Sequence, residues 1–122
     1  MTDLPADLSA EDAKLVTLAR ATRARTRAAE GAAVRDLDGR TYAAASVGLD
    51  TLRLTALEVC VAMAISSGST GLEAAVVLAD GDDVDLRAAS EFAGAAVPVL
   101  LGDAKGSIRT RTSTHGPGIA AT

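Results

Sequence analysis

The sequence predicts an α/β domain, a three-layer α/β/α sandwich built on a mixed five-stranded sheet. Three observations carry this expectation. Segments of helical periodicity alternate with segments of strand length in the order α–ββ–α–β–α–β–β. Residues 72–79, LEAAVVLA, form a continuous apolar run of strand length, as a strand covered on both faces would. The segment 50–68, DTLRLTALEVCVAMAISSG, is unbroken apolar over 59–65, the pattern of a helix wrapped on nearly every side.

Composition agrees. A chain of 122 residues, 48% hydrophobic and 23% charged, fits one domain with a sizeable core. Tyr42 and Phe92 are the only aromatic residues, so a pocket that stacks a base or a sugar between aromatic faces is hard to build. The core must be filled by Ala, Val and Leu. A net charge of −4 argues against a dedicated nucleic-acid binder. The single cysteine, Cys60, excludes an internal disulfide. The opening MTDLPADLSAEDAK is acidic and does not resemble a signal peptide. The core segment is too short for a membrane span, which needs about 20 apolar residues. The expected location is therefore the cytoplasm, with no membrane or nucleic-acid partner.

Taken in order, residues 1–8 read as a disordered lead and 9–112 as the domain. Ser9 with Asp12 three residues on is capping-box-like, and Leu15, Leu18, Ala19, Thr22 and Thr26 recur at helical spacing. A helix is thus expected over 10–28, ended by Gly31. Residues 32–36 and 40–46 flank Leu37-Asp38-Gly39, whose Asp-Gly signals a β-hairpin turn. Gly48 and Leu49 lead to Asp50, the expected N-cap of the core helix, which stops at Ser66-Ser67-Gly68. Leu54, Leu57, Val61 and Ile65 are its expected buried positions. After the strand 72–79, residues 81–85 turn the chain into a short helix over 86–93, closed by Gly94. A strand over 96–101, a turn over 102–106 and an edge strand over 108–112, where Arg alternates with Ile or Thr, complete the sheet. Residues 113–122 read as a flexible tail.

Glu30-Gly31-Ala32-Ala33, then Asp38-Gly39-Arg40 and Tyr42, then a helix closing at Gly68, resemble the cytidine deaminase family. That family shows a similar Val-Gly-Ala-Ala strand, an Asp-Gly turn and a core helix beginning Cys-Ala-Glu. The likeness extends over residues 13–112. It implies a zinc-dependent deaminase fold that associates as dimers or tetramers through core-helix surfaces. The functional motifs depart from the pattern. With a short gap before the core helix, Thr55 falls at the first zinc-binding cysteine and Leu57 at the glutamate that shuttles protons. A slip of one residue would put Glu58 at the glutamate place and Ala56 at the ligand place. Ser46-Val47-Gly48 falls at the ribose-holding Asn-x-Glu, and Ala28 near the stacking Phe. The second zinc motif, Pro-Cys-x-x-Cys, falls on the stretch that holds Asp82 and Asp85, which has no cysteine.

An argument without alignment agrees. Hydrolytic deamination on this fold needs zinc held by three His or Cys ligands, and a carboxylate to move protons. The chain holds one Cys and one His. Cys60, among apolar residues, reads as a core thiol; His115, in a Gly/Pro-rich tail, reads as a solvated imidazole. The expectation is a non-catalytic member of the fold without a cofactor, acting in assembly or nucleoside binding as a homo-oligomer, or with a protein partner. The rival reading is an active nucleoside deaminase, or a hydrolase built on aspartates.

Those aspartates are Asp80, Asp82, Asp83 and Asp85. They fit capping of the following helix, or a magnesium-type carboxylate site. Arg20, Arg23 and Arg27, with Arg25 beside them, fit a helix C-terminus complemented by positive charge, or an anion patch. Gly31, Gly39 and Gly48 match neither GxGxxG nor the Walker spacing and read as turn glycines.

Overall fold

A helix starts where its first N–H groups find acceptors, and Ser9 supplies one. Its hydroxyl accepts from the Asp12 N–H at 3.0 Å and opens α1 (Ala10–Thr26). The computed structural model describes residues 8–81 and 83–115. After α1 come β1 (Gly31–Asp36), β2 (Thr41–Ala45), β3 (Val47–Gly48), β4 (Arg53–Leu54), α2 (Ala56–Ser66), β5 (Leu72–Leu78), α3 (Arg87–Ala93), β6 (Pro98–Gly102) and β7 (Ile108–Ser113). No helix among the described residues is long and apolar enough to cross a membrane.

The sheet runs β2-β1-β5-β6-β7, with β5 and β6 parallel and the other pairs antiparallel, so the mixed five-stranded sheet is as expected. The strand pleat sorts side chains into two layers. Ala33, Ala74, Val76, Leu78 and Leu100 meet Leu15, Val16 and Ala19 of α1. Ala32, Val34, Ala75, Val77, Val99 and Leu101 meet Leu57, Cys60, Val61 and Ala64 of α2 and Ala89 of α3. This two-sided burial is why β5 reads as a continuous apolar run.

Several boundaries differ from expectation. α1 ends at Arg27, which takes a left-handed φ of 57°, so that its own N–H and that of Ala28 return to Ala24 and Arg23 carbonyls. Gly31 does not end the helix; it opens β1 where α1 presses closest. The core helix does not begin at Asp50. Thr55-Ala56-Leu57-Glu58 is a capping box, with Glu58 N–H on Thr55 Oγ1 at 3.0 Å and Thr55 N–H on Glu58 Oε1 at 2.8 Å. Two reciprocal bonds outweigh a lone Asp, and 47–54 becomes the small β3–β4 hairpin instead. Nor is α2 wrapped all round. Leu57 and Val61 are buried, but Leu54 is half-buried and Ile65 is 52% exposed, because the sheet covers one side and α3 only part of another. At the far end β7 reaches Ser113, and Thr114 is buried, its hydroxyl donating to Gly94 O at 2.6 Å and accepting from Val97 N–H at 3.0 Å. His115 N–H donates to Ser90 Oγ at 2.9 Å. The expected tail thus begins later than 113; its remainder, 116–122, and most of the expected lead, 1–7, lie outside the described residues.

One buried acid pins the β1–β2 hairpin to the loop after α2. Asp36 is 1% exposed, and its Oδ1 accepts from the Asp38 and Arg40 N–H groups, both at 2.9 Å. Its Oδ2 accepts from Ser69 Oγ and, at 3.3 Å, from Tyr42 OH. The Ser69 hydroxyl first, then these other donors, hold the carboxyl below its usual range against the opposing effect of burial. A carboxyl whose pKa is lower folded than unfolded stabilises the fold above its unfolded pKa of about 3.9, and that contribution is lost as pH falls through the lower folded value. Urea midpoints should therefore fall more steeply below about pH 4 in the wild type than in Asp36→Asn. Parallel acid profiles would show that Asp36 is not the group responsible.

Candidate functional site at the start of the second helix

The N–H groups at a helix start point outward and attract negative charge. At α2 three of them are already taken by the chain. Glu58 and Thr55 cap each other, and Glu30 Oε1 accepts from Ala56 N–H at 3.1 Å. Glu30 sits just before β1 and is fixed in turn by Ser46, whose Oγ accepts from Glu30 N–H at 3.1 Å and whose own N–H donates to Glu30 O at 3.1 Å. Two carboxylates from distant parts of the sequence therefore close over one helix end.

Around them lies a shallow groove of about 300 Å³, lined in part by Glu30, Ser46, Gly48, Arg53, Thr55 and Glu58. It brings together four of the positions singled out from sequence, Ser46, Gly48, Thr55 and Glu58, the last being the one a one-residue slip puts at the glutamate place. Leu57 does not reach it, being 1% exposed within the core. Asp85 does not reach it either. Its carboxylate accepts from the Arg87 N–H at 3.0 Å and pairs with the Arg87 guanidinium at 2.7 Å, and this Arg87 hydrogen bonding holds its pKa down. α3 has Leu86 at its N-cap with no side-chain cap from that residue, and Asp85, one position earlier, takes the Arg87 N–H at the helix start, as the capping reading of the aspartates expects. Asp80 and Asp83 are exposed, and Asp82 lies outside the described residues. Among the described residues no three His, Cys, Asp or Glu side chains are grouped to hold a metal ion.

Cys60 is fully buried, its thiol donating to Tyr42 O at 3.5 Å, and burial pushes its pKa up to about 12. It is a core thiol held in the protonated form. Of the arginines, Arg20 donates to Lys105 O at 3.5 Å, Arg23 lies over Gly31, and Arg25 and Arg27 are exposed. The residues that sequence reasoning missed are Glu30 and the capping role of Thr55. The T-x-x-E spacing signalled the second; the first depends on a contact across 26 positions and has no local signature.

Two layers of helices on a mixed sheet, with a groove at the start of the middle helix, define the class. The family description "Cytidine deaminase-like" matches residues 8–106, and the chain belongs to that family. Its fold is similar to solved cytidine deaminases. That of Burkholderia pseudomallei is 20% identical with a TM-score of 0.71, over 83% of this chain and 91% of that one. That of Mycobacterium leprae is 19% identical with a TM-score of 0.62, over 80% and 91%. That of Bacillus anthracis is 15% identical with a TM-score of 0.64, over 86% and 84%. No curated protein matches the chain.

Proposed function

We propose that this chain is a non-catalytic member of the cytidine deaminase-like family, acting by assembly as a homo-oligomer or by binding a nucleoside without reacting with it. The start of α2 carries this reading. Where the resemblance puts a zinc-binding cysteine there is the Thr55 hydroxyl, already spent on the capping box, and where it puts the proton-shuttling glutamate there is the buried Leu57. A neutral hydroxyl does not fit zinc, which takes thiolate, imidazole or carboxylate, and an alkyl side chain cannot carry a proton. Glu58 and Glu30 are carboxylates near that place, but each already accepts an N–H at the helix end. The aspartate alternative finds less support, since Asp85 is committed to Arg87.

The test is the zinc content of freshly purified, untagged protein, together with ammonia release from cytidine. We expect close to no zinc per chain and no release above the buffer blank. Near one zinc per chain, or turnover abolished by a chelator, would overturn the reading.

A further inference from the structure

Basic residues near a helix C-terminus offset its partial negative charge, and Arg23 and Arg25 stand in the last turn of α1. That effect fades within one turn. Arg20 stands six positions before Thr26, and Arg27 lies past the helix in a left-handed conformation that glycine or asparagine adopts more readily. The helix dipole therefore does not account for all four arginines.

Arg20 and Arg23, three apart, are neighbours on one edge of α1, with Arg27 at its end. At 1.5 Å per residue the row covers about 10 Å along the axis. The fold adds a fifth cation. The β6–β7 turn packs on the same edge, since a Cβ on Gly106 would stand 3.4 Å from both Arg20 Cδ and Val16 Cγ1, and Arg20 Nη1 donates to Lys105 O at 3.5 Å. Lys105 is thereby set beside Arg20.

No acid answers these charges. Among the described residues none of Arg20, Arg23, Arg25, Arg27 and Lys105 forms an ion pair, and Arg23 Nε is buried without a hydrogen-bond partner. The acids closest in sequence are engaged, Glu30 Oε1 with Ala56 N–H and Asp103 Oδ1 with the N–H groups of Lys105 and Ser107, at 2.9 and 3.1 Å. Arg20, Arg25, Arg27 and Lys105 are exposed. A chain of net charge −4 thus gathers five of its 12 basic residues around the second half of α1, where a ligand feels the local sign and not the total.

Guanidinium groups pair with phosphate oxygens through two parallel N–H bonds. An exposed row of them suits a chain of phosphates lying along it. No ring is at hand to stack a base, since Tyr42 and Phe92, the only aromatic residues, pack in the α2 layer on the other face of the sheet. A stiff duplex would also press further phosphates against an acidic molecule, whereas a flexible chain can stay on the patch.

We propose that the second half of α1 and the β6–β7 turn form a binding surface for a free, flexible polyphosphate chain, held by Arg20, Arg23, Arg27 and Lys105 with Arg25 alongside. The surface does not depend on whether the chain is catalytic, so it and the zinc measurement fail separately.

The experiment is fluorescence anisotropy of end-labelled inorganic polyphosphate with the full chain, competed by pyrophosphate and by duplex DNA, with circular dichroism to confirm that each variant stays folded. Polyphosphate should bind, and its affinity should fall at least about tenfold between about 50 and about 200 mM salt. Arg20→Ala combined with Arg27→Ala should weaken binding at least about tenfold, and Lys105→Glu should do the same. Arg40→Ala removes an exposed cation beside the β1–β2 turn and should change nothing. Absence of binding at low salt overturns the proposal. So does an equal loss in Arg40→Ala, which would mean diffuse attraction to any cation. Pyrophosphate competing as well per phosphate would overturn the chain as ligand in favour of a small anion, and duplex DNA competing more strongly would overturn it in favour of nucleic acid. A Lys105→Glu variant binding like the wild type overturns the assigned part of the turn.

Discussion

Leu57→Asp is expected to leave the chain without a cooperative unfolding transition at neutral pH. Leu57 is 1% exposed, in the cluster that joins α2 to β1, β5 and α3. A carboxylate there would have no cationic partner, and an unpaired buried charge costs several kcal/mol, roughly the whole of a domain's net stability of about 5–15 kcal/mol. Leu57→Ala, which leaves only a cavity, should remain folded and lose about 2–5 kcal/mol in urea titration. A Leu57→Asp protein melting like the wild type would remove Leu57 from the core. The same reasoning applies to Leu57→Glu: restoring the acid that the family resemblance puts at this position should unfold the protein rather than confer activity.

The second large effect is expected at Gly31. A Cβ built there would stand 2.4 Å from Ala19 O and 2.6 Å from Arg23 Cβ, both on α1. These are backbone and near-backbone atoms, so the helix itself must shift. β1 cannot yield instead, since it is paired on both edges, with β2 and β5. Overpacking of this kind costs about 1–3 kcal/mol or more. Gly31→Val should therefore melt about 5–15 °C below the wild type. Gly48→Ala is the control, because nothing lies within 4 Å of its added Cβ and its change should stay within about 0.5 kcal/mol. Equal melting temperatures for the two variants would mean that α1 does not approach β1 as closely as described.

Much of this fold could be read locally. The apolar run of β5, the Asp-Gly turn with Gly39 at φ 86°, the Ser9 cap and the closing Gly94 are signals carried by a few adjacent residues, and the structure follows each of them. The errors share a cause. Asp50 was a plausible cap in its own neighbourhood, but Thr55 and Glu58 make a reciprocal pair that a single acid cannot match. Ile65 belongs to an apolar run that says how greasy a helix is and not which sides its neighbours cover.

For the candidate site the division is sharper. Composition alone established that three His or Cys ligands cannot be assembled from one Cys and one His, because ligand chemistry is a count of residue types before it is a geometry. Which groups fill the start of α2 depended on tertiary contacts. Glu30, just before β1, reaches Ala56 at the start of α2, Ser46 holds Glu30, and Asp36 meets Ser69 from the far end of the hairpin. A hydrogen bond between residues far apart in sequence has no period and no spacing; it exists only once packing has brought its donor and acceptor within about 3 Å.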